Sequence, residues 1–468
     1  MNKLAATLLT LTIMSTALPT LAVTATSNVA SNQVSTITTK PTTIPQNTTK
    51  QQWSISKYDV TVPNKFKVPY TGPNSDKFGG LLTPGYGSAI TFKGINKNGD
   101  MEFYAISDRG PNADAPKYND GSNTYDSKIF PCPSFAPGIA TITIKNNTAN
   151  VTATTTLKDA KGNNITGLPL KPGQVGSTNE VALDLQMNNI GYDSNGLDTE
   201  GLAVDKDGNF WVCDEYGPFI VKFDKNGKQL AKYAPGTGLA DILKYRIPNR
   251  GFEGLTITPS GKILATMQSV LDVNGETKGT ATFTRIVELD PKTGKTKMYA
   301  YPVDTSKYKS PSDCKIGDIC AIDDNTVLVI EQGKLADKTM SNKIYKVDLT
   351  KATDITNVKY NGKAPEYAPK IEDLKITPVK KQELVDLRAQ GWTAEKAEGI
   401  CMIDKNTFAI INDNDFGITT KLDDISITNY TYDSKKQNYT LKTKDSNSII
   451  SIDKNTEPAQ LWIFHKQL

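Results

Sequence analysis

Carboxylates recur in this chain at fixed places in a repeated pattern. Glu200-Gly-Leu-Ala-Val-Asp-Lys-Asp-Gly-Asn-Phe-Trp-Val-Cys-Asp214-Glu215 returns as Glu253-Gly-Leu-Thr-Ile-Thr-Pro-Ser-Gly-Lys-Ile-Leu-Ala-Thr-Met-Gln268. It returns again as Glu398-Gly-Ile-Cys-Met-Ile-Asp-Lys-Asn-Thr-Phe-Ala-Ile-Ile-Asn412-Asp413. A weaker copy runs from Gly317-Asp318 to Glu331-Gln332, and a looser one from Ser88 to Asp108-Arg109. Acids gathered from several copies repel one another unless protons or a cation compensate them. Oxygen-only ligands suit a hard cation, Ca²⁺ first, with Mg²⁺ or Mn²⁺ as alternatives. Zinc is disfavoured, because the single histidine, His465, is close to the C-terminus and no cysteine pair has ligand spacing.

The candidate metal ligands are Glu200, Asp214, Glu215, Glu253, Glu331, Glu398 and Asp413, with Gln268 and Asp415 also marking hairpin ends. Asp108, Glu200, Glu253 and Glu398 are the candidate catalytic acids and bases. Arg109 and Arg250 stand beside these acids. Their forked donors could hold a phosphate or carboxylate of a substrate, or could simply neutralise the neighbouring acid. In the blander alternative, each Glu-Gly is a turn whose Glu caps a strand. Asp205-Lys-Asp-Gly208 is a fragment of a Ca²⁺ loop without the remaining ligands, and is expected to be a plain hairpin turn.

Missing motifs narrow the chemistry further. One terminal histidine leaves no Ser-His-Asp triad, and there is no Gly-x-Ser-x-Gly elbow, His-Glu-x-x-His or phosphate-binding Gly-x-x-x-x-Gly-Lys loop. No organic cofactor is expected. If the chain is a hydrolase, water attacks directly, activated by a metal and an acidic base.

Each copy reads as a short apolar strand, an Asp/Asn/Gly turn and a second apolar strand. Outer-strand candidates follow several copies, for example Phe219-Ile-Val-Lys-Phe-Asp224 and Arg285-Ile-Val-Glu-Leu-Asp290. Two hairpins per unit make a four-stranded sheet, and radial repetition of such sheets limits exposed edges. The expected fold is therefore all-β, a single β-propeller of about six four-stranded blades with loop insertions and a short helix. A sixth blade would lie in 112–190 or be shared between the chain ends. A hairpin returns to the face it left, so both ends of every inner hairpin gather at one central mouth, opposite the Asp-Gly turns. The best helix candidate is Lys380-Lys-Gln-Glu-Leu-Val-Asp-Leu-Arg-Ala-Gln-Gly391, expected as an insertion bordering the mouth through Trp392.

Composition agrees with thin sheets. The chain has 468 residues, 37% of them hydrophobic, with 34 Gly and 25 Pro to supply frequent turns. Net charge is +4 with both signs interspersed, which gives no support for nucleic-acid binding. The start has the layout of a signal peptide over 1–25: Lys3, an apolar stretch from Leu4 to Leu18, and Val23-Thr-Ala25 as the cleavage site. A Ser/Thr/Asn/Pro-rich tether over 26–52 follows, then the propeller domain over 53–468. No later stretch suits a membrane helix. The expectation is a secreted or periplasmic monomer acting on a small molecule. Of five cysteines, Cys213, Cys320 and Cys401 read as small core residues, and Cys132 and Cys314 could be bridged.

Four stretches together carry a family resemblance. Ser107-Asp-Arg-Gly-Pro-Asn112, Asp198-Thr-Glu-Gly-Leu-Ala203, Arg250-Gly-Phe-Glu-Gly-Leu255 and Glu398-Gly-Ile400 resemble the phytase-like family, "esterase-like activity of phytase". The match spans about 75–465. The resemblance implies an exported β-propeller that hydrolyses phosphoesters or other esters, with a likeness to Ca²⁺-dependent propeller phytases. It implies Asp108, Arg109, Glu200, Arg250, Glu253 and Glu398 as site residues, and departs at Gly317, where the other copies have Glu. A non-catalytic binding propeller and a lactonase-like propeller with a Glu/Asn/Asp metal cup remain alternatives.

Overall fold

The architecture was described from a computed structural model, which describes residues 52–422, 427–441, 444–446 and 450–466. The expected signal peptide (1–25) and all but the last residue of the tether (26–52) lie outside the described residues.

The protein is all-β, and its helical elements are 3₁₀ turns of three to five residues among the described residues. Each hairpin copy forms as the sequence pattern demands. In Asp205-Lys-Asp-Gly-Asn209 the Asp205 side chain accepts N–H bonds from Asp207 and Asn209, and Gly208 takes a φ of 81°. The turn is thus closed by its own acid.

Five four-stranded antiparallel sheets follow one another. The first holds Ala89–Ile95, Met101–Ile106, Gly138–Lys145 and Thr148–Thr156. The second holds Thr199–Val204, Phe210–Asp214, Phe219–Phe223 and Gln229–Pro235, extended by Gly238–Leu239. The third holds Phe252–Ile257, Ile263–Met267, Phe283–Leu289 and Thr296–Pro302. The fourth holds Lys315–Ala321, Thr326–Lys334, Met340–Asp348 and Lys380–Asp386. The fifth joins Gly399–Asp404 and Thr407–Ile411 to the last described strand, Gln460–Lys466, and the first described one, Trp53–Thr61.

The sheets pack face to face, each pair enclosing its own apolar layer. Val212 and Phe223 of the second sheet meet Ala89 and Ile106 of the first. Equivalent layers separate the second from the third (Cys213, Leu255), the third from the fourth (Tyr301, Val329) and the fourth from the fifth (Ile344, Phe408). A further layer (Phe103, Ile463) lies between the fifth and the first. The edge strand Trp53–Thr61 also pairs in parallel with Thr148–Thr156 of the first sheet, at Val60 and Thr61. Sharing a sheet between the chain ends removes two free edges at once.

About six units are expected from the sequence; five are seen among the described residues. The stretch 112–190 instead completes the first sheet and supplies short strands of a side module (Ala113–Asp114, Ser127–Ile129, Val181–Leu183). Ile418–Lys421 and Ser451–Lys454 pair in the same module, which has its own core around Ile129, Phe416 and Ile452. Lys380–Asp386 is not a helix but the outer strand of the fourth sheet, with one 3₁₀ turn after it ending at Gly391. Val385 turns inward while Lys380, Gln382 and Glu383 are exposed, the alternation of an edge strand. Trp392 does not border the mouth. It is buried edge-to-face against Trp462 at 5.0 Å. All five cysteines are free thiols, so no Cys132–Cys314 bridge exists: Cys314 is buried, and Cys132 lies against the Pro69 carbonyl.

Candidate functional site: a buried ring of carboxylates

Strand register fixes which residues reach the centre. Ser88, Glu200, Glu253, Gly317 and Glu398 immediately precede equivalent positions on the five inner strands. The equivalent positions at the returning ends are Asp108, Glu215, Gln268, Gln332 and Asp413. Of these, Glu200, Glu253, Glu398, Asp108, Glu215, Gln268 and Asp413 line one cavity of about 170 Å³. Its wall comprises eight carboxylates (Asp108, Asp198, Glu200, Glu215, Glu253, Glu398, Asp413, Asp415) and four cations (Arg109, Lys128, Lys315, Lys396). Backbone bonds stitch its rim from sheet to sheet: Gly251 N donates to the Glu215 carbonyl, and Ile316 N to that of Gln268, each at 2.8 Å.

The acids are out of water and close together. One carboxylate oxygen each of Asp198, Glu200 and Glu215 lie within 4.8 Å of one another. Two full charges at that distance repel by at least about 3 kcal/mol at an effective dielectric constant near 20. Burial, then the charges of Glu253 and Asp198, hold the Glu200 carboxyl well above the usual carboxylate range. Burial, then Asp198, pushes Glu215 up to about 8. Burial raises Glu398 to about 8 against the lowering effect of Lys396. Glu253 and Asp108 are also raised, first by burial and then by Glu215 and Asp413 respectively.

Hydrogen bonding leaves part of the ring unfinished. Gln268 Nε2 donates to Glu215 Oε1 and Glu253 Oε2, both at 2.7 Å. Lys396 Nζ binds Asp413 and Asp415 at 2.9 Å and lies 3.7 Å from Glu398. Glu200 Oε2 and Gln268 Oε1 are fully buried with no hydrogen-bond partner among the described residues, and Asp198 Oδ2 has only the Arg109 charge at 3.5 Å. Buried oxygens without donors are costly and rare. A hard cation bound by Asp198, Glu200 and Glu215 would satisfy the two carboxylate oxygens, so the donor set fits Ca²⁺ or a similar ion.

Of the residues expected here, Asp108, Arg109, Glu200, Glu215, Glu253, Glu398 and Asp413 line the cavity. Three do not. Asp214 points the other way, accepting the backbone N–H of Asp198 at 2.7 Å and that of Gly217. Glu331 is paired with Lys381 at 2.6 Å and Tyr301 at 2.9 Å between the third and fourth sheets. Both occupy the register position before the returning end, and strand alternation turns them from the axis. Arg250 donates to the Ser312 carbonyl outside the cavity wall. Arg109 is held by Asp198 and Glu180 at 3.5 Å and by the Tyr216 hydroxyl at 3.2 Å. The sequence reading missed Asp198, Lys315 and Lys396. Each stands two residues before Glu200, Gly317 or Glu398, the spacing that shares a strand face.

A family model described as "Phytase-like: Esterase-like activity of phytase" matches residues 85–416, and the chain belongs to that family. An "Uncharacterized secreted protein" of Arthroderma benhamiae is 30% identical over 251 residues, 43% of this chain and 48% of that protein. The chain thus spans about half the length of this relative. Among solved structures, the α-L-arabinofuranosidase of Podospora anserina aligns at 8% identity over 90% of this chain and 98% of its own, with a TM-score of 0.35. A protein from Lactobacillus plantarum aligns at 12% identity over 86% and 100%, with a TM-score of 0.32. Virginiamycin B lyase from Staphylococcus aureus aligns at 11% identity over 89% and 100%, with a TM-score of 0.28. Overlaps this loose carry no argument about activity.

Proposed function

We propose that the chain is an exported hydrolase of phosphoesters or other esters, with its reaction centre in the carboxylate-lined cavity of a closed five-bladed propeller. The observation that carries this is the pair of buried oxygens without a hydrogen-bond partner on Glu200 and Gln268, beside an Asp198 oxygen held only by the Arg109 charge and acids raised by burial. Asp198, Glu200 and Glu215 would hold the cation, Ca²⁺ before Mg²⁺ or Mn²⁺. When bound, such an ion polarises an ester oxygen and favours ionisation of a neighbouring water.

The chain's own groups divide the remaining work. Glu398, with its carboxyl near 8, can take and return a proton close to neutral pH, and Asp108 and Glu253 are further candidates for that role. Lys396 and Lys315 supply positive charge at the wall for an anionic substrate. Arg109, engaged by two acids, sets the position of Asp198 rather than reaching for substrate. Export is supported by the signal-like N-terminus and by the relative named as secreted. Among the described residues, no helix is long and apolar enough to cross a membrane.

Titrating Ca²⁺, Mg²⁺ and Mn²⁺ against phosphomonoesters, aryl esters and lactones tests the reading. Cation-dependent turnover of the first two classes is expected, and turnover of lactones alone would indicate the lactonase-like chemistry. No turnover of any class, with or without metal, removes catalysis and leaves a binding protein.

A further inference from the structure

The inner strand of the fourth sheet brings no carboxylate to the mouth at the usual place. Gly317 holds the position of Glu200, Glu253 and Glu398, and Asp318 holds that of Gly201, Gly254 and Gly399. Neighbouring inner strands approach closely there. A Cβ on Gly254 would lie 2.7 Å from the Ile319 nitrogen, and one on Gly399 would lie 2.9 Å from the Ile90 nitrogen. This position therefore faces a backbone N–H of the next strand round the ring.

Asp318 uses that geometry differently. Its Oδ2 accepts the Ile400 N–H of the fifth sheet at 2.8 Å, and its Oδ1 accepts the Ile319 N–H at 2.7 Å. The Leu255 N–H of the third sheet helps hold the same carboxyl down, and a Cβ on the preceding Gly254 would lie 2.6 Å from Oδ1. The side chain is buried and makes no ion pair among the described residues. One carboxylate thus accepts amides of the fourth and fifth inner strands and lies against the third. Leu255 is two residues beyond Glu253, and Ile400 two beyond Glu398, so each held amide sits one pleat repeat from a mouth acid.

We infer that Asp318 is a positioning residue of the site, fixing the strands that carry Glu253 and Glu398 by gathering their inward-facing amides on one buried carboxylate. The weak blade's missing Glu is thereby exchanged for a bridge between its neighbours. Charge-assisted bonds of this kind are stronger than neutral ones, and an amide in place of the acid would set an N–H₂ against at least one backbone N–H. The role of the site rests on the proposed function; the geometry does not.

The test compares wild type, Asp318→Asn and a core control, Ile344→Val, in the mature chain. Hydrogen exchange at the Leu255 and Ile400 amides is read together with Tb³⁺ binding by luminescence. In D318N, protection of both amides and Tb³⁺ affinity are each expected to fall on the order of tenfold or more, the range seen when outer-sphere support of metal sites is removed. The control should change neither. Unchanged protection in D318N, or affinity that only follows the control, overturns the inference. If wild type binds no Tb³⁺, the cation fails while amide protection alone decides the role of Asp318. If D318N does not fold, Asp318→Glu takes its place; partial loss of protection supports the bridge, and full retention overturns it.

Discussion

The two faces of the ring use the same residue types to opposite effect. On the turn face Asp205, Asp290 and Asp323 each close their own loop, and Asp324 accepts the Ser260 amide of the adjoining turn at 2.8 Å. Asp205 accepts amides of Asp207 and Asn209, the Trp211 indole N–H at 3.1 Å and Lys222 at 3.0 Å, and these bonds hold its carboxyl far below the usual range against some burial. Asp290 is likewise lowered, first by the Lys292 amide. At the mouth Glu200, Glu215, Glu253 and Glu398 come from different sheets, accept no backbone amide among the described residues, and are raised. What separates a structural acid from one awaiting a ligand is therefore the origin of its donors: local donors complete a charge, while convergence from distant sequence leaves it incomplete.

The sharpest break in this comparison is Glu200→Gln. It removes one charge from the triad and a buried oxygen without a donor. Calorimetry should show Ca²⁺ affinity falling on the order of 100-fold, while the metal-free protein melts higher than metal-free wild type. A variant that binds Ca²⁺ as wild type does would take Glu200 out of the site. Metal removal comes next. With free Ca²⁺ at 100 times its dissociation constant, binding adds about 2.7 kcal/mol to wild type, so EDTA should lower the melting temperature by a few degrees. An EDTA-insensitive melt would equate the mouth with the turn face.

The turn face and the ring were legible in the sequence because both follow from short-range pattern. Asp-x-x-Gly predicts a self-closed hairpin, and hairpin return predicts that Glu200, Glu215, Glu253, Glu398, Asp108 and Asp413 share one mouth. The helix placed at 380–391 failed because Leu384 and Leu387, three apart, suggest a helical face, whereas pairing with Met340–Asp348 makes Lys380–Asp386 a strand that ends before Leu387. Asp214 and Glu331 failed on alternation, which register alone resolves. Lys396 and Asp198 were within reach of the same rule, two residues before a mouth acid. Lys128 and Asn249 reach the mouth from outside the repeated hairpins, and no periodicity marks them.

Acidity separates the faces in a further way. Glu215 and Glu398 titrate near 8 in the folded, metal-free protein, against about 4.5 when unfolded. The folded state therefore binds more protons than the unfolded state between these values, so stability falls as pH rises through that interval. Metal-free protein should lose several kcal/mol between pH 5 and pH 8.5, read by urea denaturation at fixed ionic strength. Saturating Ca²⁺ should flatten the profile, since the cation replaces the protons. A metal-free stability that rises over this range would reverse the assignment.

The smallest effect belongs to the turn face and serves as the comparison's control. Asp205→Asn keeps an oxygen for the turn amides but removes the charge facing Lys222 at 3.0 Å, a pair that is only partly exposed. Charge-assisted bonds of this kind contribute about 1 kcal/mol net, with partial solvent screening on the lysine side. Asp205 is lowered in the fold, so its contribution is present above the unfolded carboxylate pKa and fades as pH falls through the folded one. The variant should thus lose about 1 kcal/mol at pH 7 in urea denaturation, and the loss should shrink in acid. Its Ca²⁺ affinity and any ester turnover should match wild type, because the turn face completes its charges without a ligand. A change in Ca²⁺ affinity with Asp205→Asn would mean that the two faces are coupled through the strands between them, and the division drawn from donor origin would fail.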